Sequence, residues 1–230
     1  MKNLIPLTTG LFIIVSTARA DFVIYTNRSE FNASSLGLQI IDFTGLSGAG
    51  GYYGLGLTGT VDGVTFSTTA PFPGAGGLAI LDPSNYDYTY YSYSGEYLFN
   101  NAGTSGIYIS LPPGTTAFGA DFFANRMVGV GSPYPAPSVL ATISIQEGAI
   151  YQFTTQTSPN STFWGFTSDV PITGITYDTG IVGYYGTHAE SIDNVSFEVT
   201  PEPSTAALTA LGLGVLAIRQ HHRITRKIRA

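Results

Sequence analysis

Residues 142–153 read Thr142-Ile143-Ser144-Ile145-Gln146-Glu147-Gly148-Ala149-Ile150-Tyr151-Gln152-Phe153. Apolar and polar side chains alternate, so Ile143 and Ile145 share one face of an extended strand. Gly148 supplies a turn, and Ile150 to Phe153 continue as the returning arm of a hairpin. Working outward, the same pattern recurs. Ile107-Tyr108-Ile109-Ser110-Leu111 turns its apolar residues inward and stops at Pro112-Pro113-Gly114. Ala117 to Phe123, Ile172 to Tyr177 and Ile192 to Val199 are further strands, as are Phe22 to Tyr25, Gln39 to Phe43 and Val61 to Ser67, which brings the count to about a dozen. One short helix is expected from Ser29, as N-cap, to Gly37, as the residue that ends it. The region between is rich in Gly, Thr, Tyr, Phe, Val and Ile, a strand-and-turn composition. Many short strands with Gly/Pro turns and no internal repeat predict an all-β fold, a jelly-roll-like antiparallel β-sandwich. Gly45 to Gly59 and Val128 to Pro137 are expected to be long loops outside the core.

Charge narrows the function classes. The chain of 230 residues has a net charge of −6, but its basic residues are unevenly placed. Between Asp21 and Thr200 only Arg28 and Arg126 face 14 carboxylates, a net of −12, while five of the nine Lys and Arg residues follow position 218. A region this acidic does not track a phosphate backbone, so nucleic acid is excluded as a partner. Carboxylates without basic partners make divalent cations possible ligands. There is no cysteine, hence no disulfide frame and no thiolate chemistry.

Both ends of the chain read as targeting devices. Residues 1–20 have a positive Lys2, an apolar stretch from Leu4 to Val15 and the A-x-A box Ala18-Arg19-Ala20, the layout of a signal peptide cut by signal peptidase to leave Asp21 first. Residues 21–199 form the β ectodomain. Residues 200–230 contain Pro201-Glu202-Pro203-Ser204-Thr205, then an apolar run from Ala206 to Ile218, then a basic tail over 219–230. An apolar helix satisfies its own backbone in lipid, and a basic tail stays on the cytoplasmic side. The run of 13 residues gives ~20 Å of helix, short of the ~20 residues of a full span, and the flanking Arg side chains extend it by snorkelling.

The order triplet, apolar run, basic tail resembles the PEP-CTERM sorting signal of exported bacterial proteins. That resemblance covers about the last 30 residues and implies handling by the membrane protease-transpeptidase exosortase, an inner-membrane stage before processing, and a destination at the cell surface or in an extracellular matrix of exopolysaccharide and biofilm. It implies nothing about what the ectodomain does.

Three candidate sites stand out in the ectodomain. Tyr86, Tyr88, Tyr90, Tyr91, Tyr93 and Tyr97 fall within 12 residues, against 15 tyrosines in the whole chain. On a strand the first three share one face and the last three the other. Flat rings with polar tips suit a polysaccharide or a protein partner, though a strand lending one face to the core explains them equally. Asp42 and Asp193 lie on early and late strands that run side by side in jelly rolls; with Asn194 they would offer oxygen ligands to Ca²⁺, unless they serve local turns. Asp82, Ser84 and Asp87 have oxygen spacing but lack the Gly and terminal Glu of a calcium loop, and an ordinary turn fits better.

Catalytic signatures are few. His188 is the one histidine outside the tail, and neither G-x-S-x-G nor H-E-x-x-H occurs. Glu96, Glu147 and Glu190 have no spacing that pairs them. The expectation is a non-enzymatic exported protein that binds glycans or builds structure. The alternative is a carbohydrate-active hydrolase, which needs two carboxylates ~5–9 Å apart across one sugar bond.

Overall fold

In the computed structural model the described residues are 20–69, 77–84, 95–100, 106–126, 138–157, 159–180 and 188–200. They build one short helix and fourteen strands in a mixed sheet. The strands are β1 (Phe22–Tyr25), β2 (Gln39–Ile41), β3 (Tyr52–Gly56), β4 (Thr58–Val61), β5 (Val64–Thr68), β6 (Leu78–Leu81) and β7 (Tyr97–Asn100). They continue with β8 (Ile107–Ser110), β9 (Thr115–Arg126), β10 (Ser138–Ile145), β11 (Ile150–Thr157), β12 (Thr162–Ser168), β13 (Gly174–Asp178) and β14 (His188–Val199). The helix, α1, spans Arg28–Ser34.

The path through the sheet is β3-β6-β7-β14-β9-β11-β10-β13-β8-β5-β4. The two twelve-residue strands, β9 and β14, pair with each other and form the spine. Each divides its other edge between two partners: β14 takes β7 along Ser191–Ile192 and β2 along Val195–Phe197. β9 takes β12 along residues 117–122 and then β11 at Phe123 and Ala124. The β9–β11 pairing is parallel, so the expectation of a wholly antiparallel arrangement is corrected at this one junction. There the sheet folds over on itself. Phe122 of the spine meets Tyr177 of β13 with ring centroids 4.7 Å apart, Trp164 of β12 stacks on Phe153 of β11, and the Tyr177 hydroxyl donates to the Phe123 carbonyl at 3.1 Å. One apolar core, from Ile41 to Phe197, fills the space between the two halves. A smaller buried group, Ala79, Leu81, Tyr97, Phe99 and Phe123, lies on the opposite face of β6, β7 and β9.

The 142–153 hairpin forms in the register its alternation demands, with Thr142 opposite Gln152 and Ile143 opposite Tyr151. Elsewhere local chemistry moved the boundaries. Asn27, not Ser29, caps α1: its Oδ1 accepts from the Ser29 and Glu30 amides, and Ser35 ends the helix before Gly37. The stretch read as one strand from Val61 to Ser67 is a hairpin. Asp62 and Gly63 both take positive φ, 46° and 83°, the geometry of a two-residue Asp-Gly turn, and β4 returns along β5. The Gly-rich segment 45–59 was expected to be loop. It contains β3 and the start of β4, because β3 adds to the open edge of β6 through its backbone and needs no large side chains for that. The second expected loop, residues 128–137, lies outside the described residues. Among the described residues no helix is long and apolar enough to cross a membrane, and residues 201–230, with the apolar run 206–218, lie outside them.

The half of the sheet from β11 to β4 presents an outer face that decides what it can touch. Inward-pointing Phe66, Ile107, Ile109, Ile143, Ile145, Ile175 and Tyr177 are buried, so their alternates point out. Across mid-height the outward row runs Thr58, Ser67, Tyr108, Thr176, Ser144, Ile150, each paired with the next through strand register.

Candidate functional site

Asp121 on β9 sits directly opposite Asp193 on β14. Two carboxylates at one cross-strand position repel unless neutralised. The neutralisation comes from two places. A bulge between Asp193 and Ser196 puts Asn194 at φ 49°, which turns its side chain back over the strand. Its Nδ2 donates to Asp121 Oδ2 at 2.9 Å and to Asp193 Oδ2 at 3.2 Å. Arg28, at the start of α1, pairs with Asp121 Oδ1 at 3.0 Å, donates to Ser196 Oγ and to the Asn194 carbonyl, and lies 4.5 Å over the ring of Phe163. Asp193 is buried, and the Arg28 and Asp121 side chains are mostly covered. This is a closed charge network in which the guanidinium occupies the place a cation would take beside Asp121.

The structure brings Asp193 and Asn194 together and lays β2 beside β14, as the early-and-late-strand argument required. Asp42, one residue past β2, is exposed and accepts from the Thr44 amide at 3.1 Å, the job of a turn residue. Asp121 and Arg28 also belong to the site. Asp121 was visible inside Ala117–Phe123, but only the β9–β14 register places it opposite Asp193. Among the described residues no group of three or more His, Cys, Asp or Glu converges as a metal cluster.

The tyrosine cluster divides. Tyr86, Tyr88, Tyr90, Tyr91 and Tyr93 lie outside the described residues. Tyr97 opens β7 and is fully buried, its ring 5.0 Å from Phe123 and 6.4 Å from Phe99. Its placement among candidate ligand-binding rings is corrected: alternation along β7 sends Leu98 into the main core and Tyr97 into the smaller buried group behind it, so no ligand reaches the ring. Asp82 accepts from the Ser84 amide and hydroxyl and forms the ordinary turn expected there. Ala20 begins the described chain, and Ala18, Pro201, Glu202 and Pro203 lie outside it.

The three glutamates are far apart in role. Glu96 holds the amides of Leu46 and Ser47, fixing the loop after β2. Glu147 holds the amide and hydroxyl of Thr173, and its Oε2 is buried with no hydrogen-bond partner. Glu190 points into the end of the main core, where Thr179 donates its hydroxyl at 2.6 Å and Asn100 its amide at 3.5 Å. Burial pushes the Glu190 carboxyl above the usual carboxylate range, an effect that the Thr179 hydrogen bonds oppose. Burial, with Glu190 nearby, also raises the Tyr177 phenol.

The architecture and this network define an all-β protein built around a spine of two long strands with a charge cluster on its outer side. Compared with known proteins, the chain matches no family model, no curated protein and no solved structure.

Proposed function

We propose that this is an exported surface or matrix protein. In this reading signal peptidase cuts after Ala20, residues 206–218 hold the precursor in the inner membrane, and exosortase acts near Pro201-Glu202-Pro203. The ectodomain, a jelly-roll-like sandwich, then serves outside the cell as a non-enzymatic glycan-binding or structural module. One observation carries the reading: the triplet, the apolar run and the basic tail stand in that order after an acidic domain that itself follows a signal sequence.

Two features of the fold are consistent with it. Among the described residues the buried apolar side chains run from Phe31 to Phe197, so neither expected cut falls between them. β1 and β14 also bring the two cut points to one end of the sheet. Phe22 pairs with Ser168 beside the 117 end of β9, and Val199 pairs with Thr115 there, with the Thr200 amide donating to the Gly114 carbonyl. A domain tethered at that end presents the other end, and both outer faces, away from the membrane. The engagement of Glu96, Glu147 and Glu190 by separate protein donors favours binding over hydrolysis, which needs two carboxylates on one bond. The test is to replace Pro201, Glu202 and Pro203 by alanine in the native host. The precursor is expected to accumulate in the inner membrane; release of the variant at the wild-type level would reject the reading.

A further inference from the structure

Tyr108 does not stand upright on β8. A Cβ built at Gly174, on the neighbouring β13, would fall 2.8 Å from the Tyr108 Cζ, and the phenol oxygen lies nearer still. Gly174 is opposite Ser110, two residues along from Tyr108, so the ring reaches diagonally across β13. Its hydroxyl then donates to Gln146 Oε1 at 2.8 Å, at the end of β10, where the Gln146 amide bonds to the Gly174 carbonyl. The side chain thus lies along the sheet over three strands. Glycine at 174 is what admits it, since any side chain there would meet the phenol. The hydroxyl end of the ring lies over Gly174, and the residue is partly exposed to solvent.

Its surroundings specify what can lie on it. The outward row through Tyr108 is hydroxyl-bearing on both sides, from Thr58 and Ser67 to Thr176 and Ser144, and ends at Ile150, which is 69% exposed. The six positions of the row carry no charge; the nearest carboxylate beside Gln146 is Glu147, which shares the Thr173 hydroxyl with it. Asp178, on the same outward face of β13, has its Oδ1 occupied by the Gly180 amide. Arg28 and Arg126 belong to α1 and β9, on the other half of the sheet. Strands ~4.8 Å apart make the row of six positions ~24 Å long, enough for several sugar rings. An anionic partner would meet the −12 of the whole ectodomain with no cation on this face to offset it. A neutral polyhydroxy chain would meet donors, acceptors, and an immobilised apolar ring for the C–H face of a sugar.

We infer that the outer face of β5, β8, β13 and β10 binds a neutral polysaccharide, with Tyr108 as the stacking platform and the Nε2 hydrogens of the Gln146 side-chain amide beside it as donors. The inference rests on the glycan-binding reading above and relocates the site from the clustered tyrosines to a single fixed one. The test is native affinity electrophoresis of the full chain in mild detergent, through gels containing hydroxyethylcellulose, dextran or alginate. Wild-type protein is expected to be retarded by at least one of the two neutral polymers and not by alginate. Tyr108→Ala is expected to weaken the retardation about tenfold, the scale of one lost ring contact, and Tyr108→Phe to keep most of it. Thr176→Glu, which adds a charge beside the ring without touching the core, is expected to weaken it similarly. Emission of the single tryptophan, the buried Trp164, checks that each variant is folded. Undiminished retardation of folded Tyr108→Ala and Thr176→Glu would overturn this site and leave glycan binding elsewhere standing. No retardation of wild type by either neutral polymer would overturn both, and equal retardation by alginate would overturn the specificity for a neutral chain.

Discussion

Arg28 illustrates how much one side chain holds in place. It joins the start of α1 to the spine through the Asp121 carboxylate, the Ser196 hydroxyl and the Asn194 carbonyl, and to β12 through the Phe163 ring. Removing it takes the guanidinium from Asp121, which still stands opposite Asp193. Arg28→Ala is therefore expected to cost about 2–4 kcal/mol, in the range of a mostly covered ion pair broken on one side. Chemical denaturation measures it, and Arg28→Lys should recover only part because a lysine cannot make the forked contacts. A calcium ion at Asp121 would have to displace the guanidinium paired with it. Millimolar Ca²⁺ is expected to leave the wild-type melting temperature unchanged and to raise that of Arg28→Ala; a rise in wild type would show that calcium binds with Arg28 in place. Glu190 gives a second residue-scale test. Burial raises its folded pKa, so the native state favours the protonated form. Its contribution is fully present below the unfolded value of about 4.3 and is lost as pH rises through the folded pKa. Glu190→Gln is expected to be more stable than wild type at neutral pH, with the difference vanishing toward pH 4, as read by thermal melts across that range.

Among the elements, α1 shows a backbone requirement written into two glycines. Gly119 and Gly165 are direct partners across β9 and β12. The rings of Phe31 and Phe163 sit on them, so that a Cβ at Gly119 would lie 2.9 Å from Phe163 and 3.1 Å from Phe31. Phe31 is the buried anchor of the seven-residue helix, which is too short to hold itself. Gly119→Ala should displace both rings and cost ~1–3 kcal/mol by overpacking, a drop of several degrees in melting temperature. At this scale much was legible. Alternation located the strands, because burial on one face imposes a period of two on residues such as Ile143/Ile145 and Ile107/Ile109. What failed were features without that signal. β3 is Tyr-Tyr-Gly-Leu-Gly on an edge, where pairing is through the backbone and the side chains need not alternate. Asp62-Gly63 did carry a local signal, which the apolar residues flanking it concealed. The site was half legible: Asp193 and Asn194 stand out in sequence, whereas their partners Asp121 and Arg28 lie 72 or more positions away and are joined only by register and by the seat of α1.

For the molecule as a whole, the feature that sets the account is the separation of chemistries along the chain: apolar ends with basic residues, and between them an acidic β domain whose core closes on itself. On the proposed reading of the two ends as targeting segments, that organisation makes the domain separable from them. A chain of residues 21–200 is expected to show the same Trp164 emission and the same melting transition as the full chain in detergent, because among the described residues the buried apolar core runs from Phe31 to Phe197. The central claim is that both ends are removed on the way out of the cell. Intact mass of the protein recovered from the surface and medium of its native host tests this most directly. The account predicts a chain that begins at Asp21 and ends within Pro201–Pro203, with or without an added surface group. A mass corresponding to a chain still ending at Ala230, found only with membranes, would contradict it.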